Sequence, residues 1–203
     1  MPDTDVPANP LLVSTRNAHK VAEIRAILGP RFLVSDLSSV PKMPEVEESG
    51  DTFEENATLK AVPASRHFDG WVIADDSGLE VAALGGAPGV RSARYAGENS
   101  DDASNNELLL RHLLPFHGPE RSARFRCVIV LARNGLKLAA FPGAVEGAII
   151  DSPRGGGGFG YDPLFVPEGF LDTFAELGAG IKNGLSHRAR ALGALEKWFK
   201  KLS

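Results

Sequence analysis

Sulfur and long apolar stretches are what this chain of 203 residues has least of. It holds one cysteine and two methionines. A single thiol, Cys127, excludes an intrachain disulfide and any metal site built from several thiolates. Cys127 sits in the apolar run Cys127-Val128-Ile129-Val130-Leu131-Ala132, so it reads as a buried, unreactive side chain. No apolar run approaches the roughly 20 residues that a membrane-crossing helix needs, and no membrane partner is expected. An excess of charge of one sign is missing too. Lys and Arg number 22 against 26 Asp and Glu, for a net charge of −4. That balance argues against broad nucleic-acid binding, although a local group of lysines can still hold a small phosphate ligand. The opening Met1-Pro2-Asp3-Thr4-Asp5 lacks the basic and apolar segments of a secretory signal, so a cytoplasmic location is expected.

What is present is ordinary globular material, 43% hydrophobic and 24% charged. The length suits one domain, with room for at most two small lobes. Residues 1–10 carry three prolines and two acids and read as a flexible lead-in. Residues 11–15 read as a short strand. Val21, Ile24, Ile27 and Leu28 then recur at the spacing of one helix face, and Gly29-Pro30 stops that helix. Residues 31–36 form a second strand, and residues 41–50 an acidic loop containing Glu45, Glu47 and Glu48.

Thr52 with Glu55 makes a capping box for the next helix, which Pro63 should kink or end. A strand over 71–74 follows, then the glycine-rich loop 85–89. Ser100 is expected to cap a helix running through Leu114. Residues 125–132 and 136–141 flank Asn134-Gly135, a strong hairpin signal. Residues 145–150 read as a further strand, and 153–160 as a flexible loop. The last helix starts at Ser186 and should bury Leu192, Leu195, Phe199 and Leu202. Helices alternating with strands around an inserted hairpin predict an α/β fold with a mixed sheet covered by helices.

The most informative run is Trp71-Val72-Ile73-Ala74-Asp75-Asp76-Ser77-Gly78, four strand-like residues leading into two acids, a hydroxyl and a glycine. In α/β domains the carboxyl ends of strands form the ligand crevice. Neighbouring side chains on an extended segment point opposite ways, so one acid faces the crevice and the other fixes the turn. A carboxylate there suits Mg²⁺ or the deprotonation of water. The alternative is a strand followed by a plain Asx turn.

Four further segments carry candidate chemistry. Thr15-Arg16-Asn17-Ala18-His19-Lys20 lies between a strand and a helix, where free N–H groups and the dipole suit phosphate; simple capping with a solvated Lys20 is the other reading. Glu47-Glu48 precedes the capped helix that holds Asn56 and Lys60, and either converges on Asp76 or is merely solvated. Phe159-Gly160-Tyr161-Asp162 offers backbone that can approach a ligand closely, two rings able to stack on a base and an acid able to accept from a base N–H; a turn punctuated by Asp-Pro is the alternative. Lys182 precedes Ser186-His187-Arg188, which sets two potential cations in a helix's first turn, where the macrodipole disfavours them. A bound anion or polar ligand would offset that conflict.

Taken in order, these segments resemble the inosine triphosphatase family, pyrophosphatases of non-standard purine nucleoside triphosphates. The resemblance runs from Leu11 to Leu195. It is also carried by Ser49-Gly50, Phe53, Glu55-Asn56-Ala57, Gly85-Gly86-Ala87-Pro88-Gly89-Val90 and Ser92-Ala93-Arg94-Tyr95. It implies an elongated mixed α/β architecture like that of inosine triphosphatases and Maf proteins, with residues 11–203 forming one nucleotide-pyrophosphatase domain of two lobes around a cleft. It implies Mg²⁺, a homodimer, and hydrolysis of inosine and xanthosine triphosphates to monophosphate and pyrophosphate.

Carried over by position, Asp76 is the base and a metal ligand, and Glu47 is the second metal ligand. Residues 15–20 with Lys60, Ser77 and Lys182 hold triphosphate and sugar; Phe159, Gly160, Tyr161, Asp162, His187 and Arg188 hold the base. Backbone N–H groups of residues 159–162 and the side chains of His187 or Arg188 are the expected donors to a purine 6-oxo group.

Three positions depart from the family pattern. Arg16 replaces a usual glycine, and must point away from the phosphates or add a cation. Pro63 interrupts a commonly alanine-rich helix. Gly184 stands where alanine is common. The alternatives are a nucleotidyltransferase, a Maf-like pyrophosphatase for modified pyrimidine nucleotides, and a nucleotide-binding protein without turnover; the acid pair Glu47 and Asp76 argues against the last, since binding alone needs no water-activating centre.

Overall fold

The computed structural model describes residues 9–40, 43 and 46–202. Most of the expected lead-in, residues 1–8, and Glu45 of the acidic loop lie outside the described residues. Six strands form one mixed sheet in the order β2-β1-β3-β4-β5-β6. β1 (Asn9–Val13) lies between β2 (Phe32–Asp36) and β3 (Trp71–Val81), parallel to both. β4 (Ser122–Arg133) and β5 (Leu136–Ile149) are joined by the two-residue loop Asn134-Gly135, both at positive φ (54° and 77°), as a twisted hairpin requires. β6 (Phe165–Pro167) pairs antiparallel with β5.

Five α-helices accompany the sheet: α1 (Ala18–Leu28), α2 (Phe53–Ala64), α3 (Asp102–His112), α4 (Phe174–Leu185) and α5 (His187–Phe199). The expected mixed α/β fold is therefore present. The described residues cluster into two compact units, one containing the chain up to Asp75 together with Ile129–Phe141, the other containing Asp76–Val128 and the chain from Pro142.

In the first unit α1 buries Val21, Ile24 and Leu28, three of the four apolar positions read from its periodicity. The capping box of α2 is made as expected: Thr52 Oγ1 accepts from Glu55 N (3.1 Å), and Glu55 returns a carboxylate oxygen to Thr52 N (3.1 Å). Pro63 falls in the last turn of α2, and the helix stops one residue later. A small core of Leu12, Met43, Ala64 and Val72 sits beneath this region.

The core of the second unit is larger and includes Leu79, Leu109, Phe125, Tyr161, Leu164, Phe165 and Phe174. Phe125 packs edge-on against Phe165 at 4.8 Å between ring centroids. β5 passes so close to α5 that a Cβ on Gly143 would collide with the His187 carbonyl oxygen, so only glycine fits at that crossing.

Four local expectations are corrected. β3 does not end at Ala74 but runs eleven residues to Val81, so Asp75 and Asp76 lie inside a strand rather than at a turn. Asp101, not Ser100, caps α3: its acceptor-only carboxylate receives Ser104 N (2.8 Å), while the Ser100 hydroxyl is spent on Gly97 O and Asn105 Oδ1. The strand expected over 145–150 is the continuation of β5 through Pro142 and Gly143. Leu202 is 61% exposed because α5 ends at Phe199, before the periodicity would have buried it.

Candidate active site

The first unit holds residues 15–20 and Lys60, whereas Ser77 and Lys182, also expected on the triphosphate and sugar, fall in the second unit. The chain leaving β1 is pinned by Ser14, whose N–H donates to Ile73 O (2.7 Å) and whose hydroxyl donates to Lys60 O (2.9 Å). Asn17 caps α1 by accepting from Lys20 N (3.0 Å), and its own N–H is taken by Thr15 Oγ1 (3.1 Å). Capping leaves residues 16–19 exposed at the positive end of the helix.

Lys20 turns inward, with Nζ 2.6 Å from Oδ1 of Asp75, a carboxylate wholly buried in β3. Lys60 reaches the same residue from α2, donating to Asp75 O (3.0 Å) and to Glu48 Oε1 (2.9 Å). Asp75 thus joins two ammonium groups from two helices. The sequence reading gave Asp75 only the fixing of a turn and named no ligand role for Glu48. The signal that was available is that each adjoins a chosen acid in a doubled pair.

The acidic loop is tied to α2 by Asn56, whose Oδ1 accepts from Gly50 N (2.8 Å). A Cβ on Gly50 would meet that same oxygen at 2.8 Å, which explains the glycine. Glu47 is exposed. Arg16 donates to Met43 O (3.3 Å) and lines a cavity of about 380 Å³ with Thr15, Ala18, Val21, Asp36 and Ser38. The residue that departs from the glycine pattern thus ties the loop after β1 to the segment before Glu47.

The second unit begins at Asp76, which is 5% exposed and, by pleating, points to the opposite side of β3 from Asp75. Ser77 Oγ accepts from Arg188 Nη2 (3.1 Å). Arg188, 1% exposed, also lies 5.9 Å over the ring of Phe159. Lys182 Nζ lies 4.8 Å from the centroid of that ring and 2.5 Å from Asp162 Oδ2, with both side chains nearly sealed from solvent (5% and 2%). Asp162 also accepts from Phe159 N (2.9 Å). Gly158 makes room for this turn: its φ is +74°, and a Cβ there would collide with Asp162 Oδ2. His187 stacks on Phe125, centroids 5.0 Å apart and planes 14° apart.

The structure therefore brings Phe159, Asp162, Lys182, Arg188 and Ser77 together, and it redistributes some expected roles. Tyr161 does not offer its ring to a ligand. It is 3% exposed within the core, and its hydroxyl donates to Ser92 O (2.9 Å). Burial pushes that hydroxyl far above the usual phenol range, so it stays a neutral donor. Three of the loop's four backbone donors already have partners: Phe159 N donates to Asp162 Oδ2, Gly160 N to Asp102 Oδ2 (2.6 Å) and Asp162 N to Phe159 O (3.3 Å). Lys182, His187 and Arg188 supply side-chain donor groups in this unit.

The model of the Ham1 family matches residues 11–198. The chain belongs to the Ham1 family. A dITP/XTP pyrophosphatase of Geobacter sulfurreducens is 52% identical over 187 residues, 92% of this chain and 94% of that one. The dITP/XTP pyrophosphatase of Halalkalibacterium halodurans is 50% identical over 188 residues, covering 92% and 97%. Among solved structures, the Ham1 protein of Staphylococcus aureus superposes with a TM-score of 0.84 at 40% identity, covering 96% of this chain and all of that one. Family membership agrees with the sequence resemblance, and the shared fold extends to the helices that carry Lys182 and Arg188.

Among the described residues no three His, Cys, Asp or Glu side chains are grouped as a ready metal site. That does not disqualify magnesium. Mg²⁺ is commonly held by one or two carboxylates, with waters and substrate phosphates completing its shell.

Proposed function

We propose that this chain is an enzyme that hydrolyses inosine, deoxyinosine and xanthosine triphosphates to the monophosphate and pyrophosphate, clearing them from the nucleotide pool. The observation that carries the proposal is the group around half-buried Phe159, in which the Lys182 ammonium and the Arg188 guanidinium lie 4.8 and 5.9 Å from the ring centroid and Asp162 holds Lys182 in place. A ring to stack on, with fixed N–H donors beside it, suits a planar base bearing carbonyl acceptors. The names of the relatives at 50% and 52% identity support the same substrate class.

Thr15, Asn17, Lys20 and Lys60 would grip the triphosphate, and Ser77 the sugar side. Phe159, Lys182, His187 and Arg188 would read the base. Magnesium fits the hard carboxylate donors, with Glu47 and Asp76 as its protein ligands; when bound it neutralises phosphate charge and lowers the pKa of a coordinated water.

Asp76 accepts a proton from the attacking water, whose oxygen bonds to the α-phosphorus as the bond from that phosphorus to the α–β bridging oxygen breaks. The electron pair leaves with pyrophosphate. Lys20 and Lys60 stabilise that charge; both are already oriented by Asp75 and Glu48, so little reorganisation is needed as it develops. Lysine suits a role that asks for a point charge rather than a fork.

Base choice follows from donors and acceptors. A 6-oxo group accepts from Lys182, His187 or Arg188. An adenine 6-amino group would set donor against donor and leave buried groups without partners, about 1–3 kcal/mol for each. Guanine shares the 6-oxo group, so its exclusion rests on its 2-amino group.

No helix among the described residues is long and apolar enough to cross a membrane; a cytoplasmic homodimer is the proposed working form. The test is a nucleotide panel with Mg²⁺, assayed separately for orthophosphate and pyrophosphate. Inosine and xanthosine triphosphates should exceed guanosine, adenosine and pyrimidine triphosphates, with discrimination against adenosine on the order of 10²-fold and pyrophosphate released intact. Equal turnover of adenosine and inosine triphosphates, or orthophosphate as first product, refutes it.

A further inference from the structure

We infer that α3 is the support that sets base selectivity, with Asp102 and Asn106 as positioning residues that grip Gly160 by its N–H and its C=O. Asp102 Oδ2 accepts from Gly160 N at 2.6 Å, and Asn106 Nδ2 donates to Gly160 O at 3.0 Å. The two residues are four apart on α3 and so lie on one face of it, one turn above the other. The inference rests on the nucleotide reading above and extends it to residues behind the base loop.

The local chemistry separates this grip from ordinary helix capping. Asp101 is the cap, its carboxylate taken by Ser104 N (2.8 Å) and Ser104 Oγ (2.6 Å). Asp102, one residue on, reaches out of the helix to Gly160. Asn105, next to Asn106, is buried and holds a second anchor: it donates to Ala93 O (3.2 Å) and accepts from Ala96 N (2.8 Å). The adjacent Ser92 carbonyl receives the Tyr161 hydroxyl. Consecutive asparagines on α3 thus secure residues 160 and 161, one directly and one through the segment 92–96. This gives the Ser92-Ala93-Arg94-Tyr95 run a place in the same support.

Phe159 precedes Gly160, and its ring faces Lys182 and Arg188. Holding Gly160 at both polar groups fixes the pitch of that ring, and it also keeps the Gly160 N–H occupied. Released from Asp102, the loop would gain both mobility and one uncommitted donor, each of which relaxes the match to a particular base. Loss of a charge-assisted hydrogen bond corresponds to roughly a 10- to 100-fold change in an equilibrium constant.

The test compares Asp102→Ala, Asp102→Asn and Asn106→Ala with the wild type, measuring kcat and KM for inosine and guanosine triphosphates, and Tm. Asp102 is exposed, so its variants should fold, and Asp102→Asn keeps an acceptor oxygen for Gly160 N–H. The expected result is a KM for inosine triphosphate raised about tenfold in both alanine variants with kcat changed little, and a smaller inosine-to-guanosine ratio. Asp102→Asn should restore most of that ratio. A ratio unchanged in Asp102→Ala, or lowered and not restored by Asp102→Asn, overturns the grip while leaving the proposed activity intact. A wild type that does not prefer inosine triphosphate overturns the nucleotide reading itself, and the inference with it.

Discussion

Replacing Lys182 by methionine separates structural from functional demands on the base site. The ammonium stands 2.5 Å from Asp162 Oδ2, with side-chain exposures of 5% and 2%. Methionine keeps much of the stem's volume but leaves the Asp162 carboxylate buried with its cation removed. Breaking one side of a buried ion pair costs about 3–5 kcal/mol, and in a chain of this size each kcal/mol lowers Tm by about 2–4 °C, so the expected fall is roughly 6–20 °C. The Phe159 N–H still donates to Asp162, which favours the lower end. The double variant Lys182→Met/Asp162→Asn removes the stranded charge yet retains an oxygen for Phe159 N–H, so most of the stability should return. Activity should not. Both variants lose the Lys182 donor, and kcat/KM for inosine triphosphate should fall by about 10- to 100-fold in each. Thermal unfolding paired with pyrophosphate release measures both quantities on the same preparations. A double variant that regains wild-type activity along with stability would reduce Lys182 to a structural partner of Asp162, and a single variant as stable as wild type would refute the energetic reasoning.

Other outcomes are equally definite. Asp76→Asn should keep the fold and lower kcat by at least about 10²-fold, as loss of the base requires; comparable activity would end that assignment. Asp75→Asn weakens the hold on Lys20 rather than removing the base, so its kcat should fall less than that of Asp76→Asn, a ranking that steady-state kinetics of the pair checks. Thr52→Ala removes the α2 cap and should lower stability by about 1 kcal/mol without altering base preference, as unfolding curves and the nucleotide panel would show. Sedimentation at micromolar concentration should give a dimer of this 21.6 kDa chain, and a species of monomer mass alone would contradict it.

Local signals in the sequence were faithful where one residue type settles one bond. The Thr52 and Glu55 box, the Asn134-Gly135 hairpin and the apolar face of α1 all appear where their chemistry put them. What escaped was decided by distant partners. α4 contains Gly178, Gly180 and Gly184, with Gly178 at φ 74° and ψ 160° breaking its middle, so no helical period could reveal it. β6 has three residues and exists because β5 offers it an edge. Asp75-Asp76-Ser77-Gly78 looked like the end of a strand because acid, hydroxyl and glycine punctuate turns; in the fold, Lys20 meets the first carboxylate and Arg188 meets the serine, so the strand runs on. Tyr161 looked like a stacking ring, and only the position of Ser92 O, 69 residues away in sequence, assigns its hydroxyl and sends the ring into the core.

The conflict visible in Ser186-His187-Arg188 carries the most functional weight. Two potential cations in a helix's first turn oppose the macrodipole, and burial makes the opposition stronger, since His187 is 4% and Arg188 1% exposed. Helix stability gives no reason for them: Ser186 already caps α5 by accepting from Ala189 N (3.2 Å). Their surroundings are instead arranged to hold donors still. His187 lies flat on Phe125, its carbonyl lies against Gly143, where no side chain fits, and Arg188 is fixed between Ser77 and the face of Phe159. Desolvated donors with restricted motion discriminate between a carbonyl and an amino group far better than solvated ones, because a mismatched group finds no water to replace the lost bond. On the proposed reading, the local conflict at the start of α5 is the structural counterpart of base selectivity, with the purine read by side chains carried on α4 and α5.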